Sequence, residues 1–164
     1  MFKNRNGFMI MFYEIEPVEL LEQLKANLLS SIVISLMLVL VTCWVLFGTV
    51  ADQVLMIWAA TQVTLKTFRI YIVRKLTGGG LSKKQFFSTK LLYTMAMLLL
   101  GLMWGATSIV ASLYASDIIL VVIVLILTGL TAGAVATASP VFSGFSGLFF
   151  GATVPTFIAM ITSN

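Results

Sequence analysis

The sequence predicts an all-α fold: a polytopic membrane helix bundle of about five transmembrane helices, preceded by an amphipathic helix. Three observations carry this. First, 60% of the 164 residues are hydrophobic and only 10% are charged. A soluble domain of this size has no interior large enough for that much apolar surface. Second, the apolar residues fall in stretches of the length that crosses a bilayer, about 20 residues each. They do not alternate strictly with polar ones, which argues against a β-barrel with a polar lumen. Third, Lys and Arg collect in alternate connections between those stretches. Polytopic membrane proteins show this pattern through the excess of positive charge in their cytoplasmic loops.

Residues 1–27 form the N-terminal segment. Lys3 and Arg5 precede a short run, FMIMF, that is too brief for a signal-peptide core and has no small-residue cleavage site after it. From Glu14 to Leu29 the pattern is amphipathic. Pro17 suits a first helical turn, Leu21, Leu24 and Leu28 share one face, and Glu19, Glu22, Gln23 and Lys25 are polar. The expectation is an interfacial helix leading into the first span.

The transmembrane domain covers residues 28–164. Its spans are expected at about residues 28–47, 52–74, 87–113, 118–137 and 141–161. Trp44 lies near the end of the first, where an interfacial aromatic belt belongs. Between the second and third lies LTGGGLSKKQ, a loop marked by Gly78, Gly79 and Gly80. The third is long enough to require tilt. Tyr114 to Asp117 is a turn, Ser139-Pro140 breaks the chain after the fourth span, and Pro155 is expected to kink the fifth.

Charge placement fixes an orientation. Lys3, Arg5 and Lys25 precede the first span, and Arg74, Lys75, Lys83, Lys84 and Lys90 surround the glycine-rich loop. The other connections hold only Asp52 and Asp117. The N-terminus and the glycine-rich loop are therefore expected in the cytoplasm, with the Asp52 and Asp117 turns outside. Five spans would leave the C-terminus outside, and a cytoplasmic output is expected only after a sixth span beyond Asn164.

Several chemistries find no support in the sequence. There is no histidine, which removes a histidine phospho-acceptor, histidine haem ligation and most zinc sites. The single cysteine, Cys43, lies in an apolar run and reads as a small buried hydrophobe. Neither a G-x-S-x-G elbow nor a phosphate-binding P-loop is present, and no acidic cluster suggests a metal. The chain is not expected to be an enzyme, to carry a cofactor or to bind nucleic acid.

The second span carries the candidate site. Trp58, Gln62, Lys66, Arg69 and Val73 follow one another at steps of three or four, which places them on one helix face. With the span centred near Val63, Lys66 stands roughly 4–5 Å and Arg69 about 9 Å toward the cytoplasm. No carboxylate lies inside any span. Such charges either snorkel to the headgroups or form the cationic floor of a cavity between helices. In the second case Trp58, joined by Trp104 from the third span, would form an aromatic wall for a small amphiphilic ligand. Otherwise Trp58 fills the bundle and Gln62 makes one interhelical hydrogen bond.

Glycines recur four residues apart: Gly101 and Gly105 in GLMWG, Gly129 and Gly133 in GLTAG, and Gly147 and Gly151 in the fifth span, after Gly144. Small residues at this spacing let helices approach closely in lipid. They are expected at contacts within the bundle, at a homodimer face or at a tight pocket.

The order of motifs resembles that of a known class. EPVELLEQL is followed by a span, then by Trp58 with Arg69 eleven residues later, a basic loop, GLMWG, TGLTAGAVAT, SPVF and FFGATVPT. From about Glu16 to Pro155 this is similar to the N-terminal membrane sensory region of bacterial signalling proteins. Those regions precede diguanylate cyclase (GGDEF), phosphodiesterase (EAL) or histidine-kinase modules. The resemblance implies a multi-pass, helical signal-input domain of the bacterial inner membrane. Its partners would be membrane lipids, a small amphiphilic or lipid-soluble cue, and a cytoplasmic signalling output. The alternative is a structural or accessory subunit of a membrane complex, or a small transporter. Transporters commonly carry internal repeats and broken helices, and no convincing repeat relates the two halves of this chain.

Overall fold

The computed structural model describes residues 17–78, 82–138 and 142–162. The basic residues Lys3 and Arg5, the FMIMF run, Gly79, Gly80, the Ser139-Pro140 break and the last two residues lie outside them. Among the described residues there are five helices and no strand. They are α1 (Pro17–Leu46), α2 (Asp52–Thr77), α3 (Lys83–Tyr114), α4 (Asp117–Ala138) and α5 (Phe142–Thr162).

Four of them are long and apolar enough to cross a membrane: Glu22–Leu46, Lys84–Tyr114, Asp117–Ala134 and Phe142–Ile161. The exception is α2, whose 26 residues include Asp52, Lys66, Arg69, Arg74 and Lys75. The expected interfacial helix and first span are one continuous helix. Nothing between Pro17 and Leu46 breaks it, and its buried residues Leu24, Leu28, Ile32, Val39, Thr42 and Leu46 form a single stripe at steps of three, four or seven. It ends in a tight turn, where Val50 N donates to Leu46 O at 3.2 Å and Gly48 takes φ +75°. That left-handed conformation suits glycine. The third helix begins at Lys83, ahead of the expected 87, because Ser82 caps it. Gln85 N donates to Ser82 Oγ at 3.4 Å, and Ser82 N donates to Gln85 Oε1 at 3.0 Å.

Helices α1 to α4 form a ring, each antiparallel to the next and α4 returning to α1, and α5 packs outside it on α3 and α4. The closest pair is α3 with α5. These two run parallel: Thr94 Oγ1 meets Ser143 Oγ at 2.9 Å, and Ser108 Oγ meets Thr156 Oγ1 at 3.0 Å. Glycine makes the approach possible. A methyl at Gly101 would collide with the Leu148 carbonyl, and one at Gly151 would stand 2.7 Å from Leu98 O. Pro155 lies inside α5 and packs its ring against Gly105. The pair Gly129 and Gly133 makes no close approach to a helix within the bundle, since a Cβ at either position would meet nothing within 4 Å. Both instead border a cavity inside the ring.

The molecule wears its apolar side outward. Leu29, Met37, Leu40, Trp44, Met56, Ile57, Ile118, Leu125 and Phe157 are all exposed, while Gln62, Lys66 and Arg69 are buried. Exposed hydroxyls are turned onto their own helices. Thr61, Thr64 and Thr67 donate to the carbonyls of Ile57, Ala60 and Val63 at 2.8, 2.8 and 3.0 Å, and Thr128 and Thr153 do likewise. A hydroxyl facing lipid has no water to bond, and back-bonding to the preceding turn satisfies it. Four apolar helices, an apolar exterior and internally satisfied hydroxyls are compatible with a multi-pass membrane protein.

Candidate functional site: a buried cation pair beside an interhelical cavity

The apolar core has two parts, one at each end of the ring. One gathers Leu24, Leu28, Ile72, Val73, Tyr93 and Met97, and the other Val39, Leu46, Leu55, Trp58, Trp104 and Ile123. Between them α2 contributes Gln62, Lys66 and Arg69, which are 0%, 3% and 6% exposed. The helix therefore turns its polar stripe to the interior, while Met56, Ile57, Val63 and Tyr71 face outward.

Lys66 does not snorkel. Its Nζ donates to Gln62 Oε1 at 3.1 Å, one turn toward the Asp52 end of α2 and away from the Arg74 end. The same ammonium stands 5.8 Å from the ring centre of Trp104, within the range of a cation–π contact. Trp104 in turn meets Trp58 edge to face, with ring centres 5.3 Å apart at 85°. Trp58 is fixed by its indole N–H, which donates to Met103 O at 3.0 Å. Trp58, Gln62, Lys66, Arg69 and Trp104 are thus brought together on the facing sides of α2 and α3.

Arg69 reaches the other way across the ring. Its Nη1 donates to Ser31 Oγ of α1 at 3.0 Å, and its Cζ lies 6.0 Å from the ring centre of Tyr93. Among the described residues, Arg69 Nε and Nη2, Gln62 Nε2 and Tyr93 OH have no hydrogen-bond partner. Apart from the tyrosine hydroxyl, which can also accept, these are donors only. The nearest acid along the helix, Asp52, begins α2 some 14 residues before Lys66, about 21 Å away. Asp117 begins α4 at the same end of the bundle. Among the described residues, no carboxylate pairs with either cation.

A cavity of about 80 Å³ adjoins this pair. Lys66, Arg69 and Trp104 form its inner wall, Ser31, Ser35 and Leu38 of α1 one flank, and Gly129, Gly133 and Ala134 of α4 the other. Its rim residues Ile34, Gly129 and Gly133 are exposed, so it opens sideways between α1 and α4. Ser31 and Tyr93 join the site without having been anticipated there, and the α4 glycines line a pocket, one of the places expected for such pairs. Ser31 and Ser35, four apart where α1 passes from its polar start into its apolar stretch, were a readable signal. Tyr93 left none in the sequence.

A second space of about 210 Å³ lies between α4 and α5, lined by Thr128, Thr131, Thr153 and Thr156 among apolar side chains. Those hydroxyls donate to backbone carbonyls of their own helices. No charged residue lines the space.

No protein-family model, curated protein or solved structure matches this chain.

Proposed function

We propose that the chain is a membrane-embedded signal-input domain, which binds a small amphiphilic cue in the ring cavity and passes its occupancy to a cytoplasmic output. On this reading all five helices cross the bacterial inner membrane. The N-terminus and the basic loop around Gly78 face the cytoplasm, as the placement of Lys and Arg argues. Helix α2 packs between α1 and α3, and its charges are tolerated because they point into the ring while its apolar face is turned outward.

The observation that carries the reading is the buried Lys66–Arg69 pair beside a cavity that opens toward lipid. A charge left unrelieved at mid-bilayer costs about 2.5–3.5 kcal/mol on insertion scales. A structural helix would meet no such cost with leucine in those places, so the charges argue for a ligand. Signalling further needs two helix arrangements that the cue binds unequally. The α1–α4 seam suits such a change, because it borders the cavity through Ser31, Ser35, Gly129 and Gly133, and a Cβ added at either glycine would meet nothing within 4 Å.

The test is a fusion of a reporter output to the N-terminus, read in cells given fatty acids, long-chain alcohols or membrane-fluidising agents. Wild type is expected to respond to at least one class. Lys66→Met is expected to express normally and not respond. A Lys66→Met fusion that responds as wild type does, or a wild-type output constant across all conditions, refutes the proposal.

A further inference from the structure

The geometry points to an anionic amphiphile as the occupant of the ring cavity. We infer that its compact oxyanion head is held by Arg69 and Lys66, while its chain leaves sideways between α1 and α4. The inference rests on the proposed ligand-binding role and specifies the ligand's chemistry and route.

Three observations converge. The first is the state of the Arg69 fork. Ser31 occupies Nη1, but the Nε–Nη2 edge has no partner among the described residues, although Arg69 is 94% buried. That edge presents two parallel N–H groups, the pattern that pairs with a carboxylate or phosphate through two hydrogen bonds. The second is charge. Lys66 and Arg69 both line the cavity, Asp52 and Asp117 begin α2 and α4 at one end of the bundle, and Glu19 and Glu22 lie near the start of α1, nine or more residues before Ser31. An anion would relieve two like charges one helical turn apart, and a neutral ligand would not. The third is shape. A cavity of about 80 Å³ admits a headgroup and excludes a long chain. Its mouth is cut by Gly129 and Gly133, where any side chain would narrow it, and it faces the side of the bundle rather than either end. Trp104 closes the inner wall against the apolar part nearest the head.

A lipid-borne oxyanion and a free inorganic one share this headgroup chemistry, and the experiment separates them. The chain is placed in phosphatidylcholine nanodiscs with Trp44 replaced by phenylalanine, because Trp44 is exposed and would report on bulk lipid. Quenching of Trp58 and Trp104 is then followed as 9,10-dibromostearate is added at neutral pH, and separately as the matching neutral dibromo alcohol is added. The acid is expected to quench saturably, at a mole fraction at least tenfold below that for the alcohol. Arg69→Lys keeps the charge but loses the fork, and is expected to weaken the acid about tenfold, the loss of a charge-assisted hydrogen bond. Gly129→Leu closes the mouth in a space where a Cβ meets nothing, and is expected to abolish saturable quenching with the helical content unchanged. Equal quenching by acid and alcohol overturns the inference, and needs no variant to be read. So does a Gly129→Leu protein that binds as wild type does. If inorganic phosphate alone displaces the acid, the oxyanion is a soluble one and lateral entry is wrong. None of these results touches the reporter fusion, so the signal-input reading stands or falls separately.

Discussion

Replacing Gly105 with alanine puts one methyl group between α3 and α5. The added Cβ would lie 2.8 Å from Gly151 O, 2.9 Å from Ala152 O and 2.8 Å from Pro155 Cγ. Two of these atoms are backbone and the third belongs to a rigid ring, so none can rotate away. The helices must separate, and the Gly101 contact with Leu148 on the same face would open with them. Overpacking of this kind costs about 1–3 kcal/mol, and rigid neighbours put Gly105 at the upper end. Alanine recovers about 1 kcal/mol of helix propensity, leaving a net loss of about 2 kcal/mol. Gly129→Ala is the matched control. It has the same propensity gain, and its Cβ meets nothing within 4 Å. The two variants should therefore differ by about 3 kcal/mol. Reversible unfolding in mixed micelles of neutral detergent and dodecyl sulfate, followed by circular dichroism, measures this. Equal midpoints for the two variants would refute the claim that glycine sets the α3–α5 distance.

Two further outcomes follow from other parts of the bundle. Ser31→Ala removes the acceptor of Arg69 Nη1 and should cost about 1.5–3 kcal/mol, the range for a hydrogen bond to a charged group; a loss below about 0.5 kcal/mol in the same unfolding assay would mean that Arg69 is not held from α1. In a Cys43→Ala background, Gly78→Cys should resist membrane-impermeant maleimide in intact cells while Ala51→Cys reacts, and the reverse pattern would invert the orientation.

Much of this architecture can be read directly from the chain. Runs of apolar residues mark helices well, and the steps from Trp58 through Gln62 and Lys66 to Arg69 mark a common face. Boundaries were harder, because the cues to them are local. The Ser82–Gln85 cap extends α3 into what composition alone makes a loop, and no breaker separates the amphipathic start of α1 from its apolar end. Glycine spacing proved ambiguous for a physical reason. The same four-residue interval lets a neighbour approach at Gly101 and Gly105 and leaves a void at Gly129 and Gly133, and the difference resides in the facing helix. Whether Lys66 reaches the headgroups or turns inward likewise depends on Gln62 and Trp104 being in place around it. Tyr93 beneath Arg69 is a tertiary contact with no periodicity to reveal it.

The parallel pairing of α3 and α5 also bears on how the chain is made. Neighbours in sequence can close as hairpins while they emerge, but the groove along Gly101 and Gly105 must wait for a helix two places further on. At ~5–20 residues per second, the stretch from Gly105 to Gly151 takes about 2–9 s to synthesise. During that interval the α3 groove would stand uncovered, facing lipid if the helices insert as proposed. The charged α2, by contrast, gains the Trp104 face of α3 as soon as that helix arrives. Assembly on the ribosome would therefore shelter the cations first and seal the glycine seam last. A chain arrested before α5 is left with an uncovered small-residue face, the kind of surface on which another membrane helix can pair.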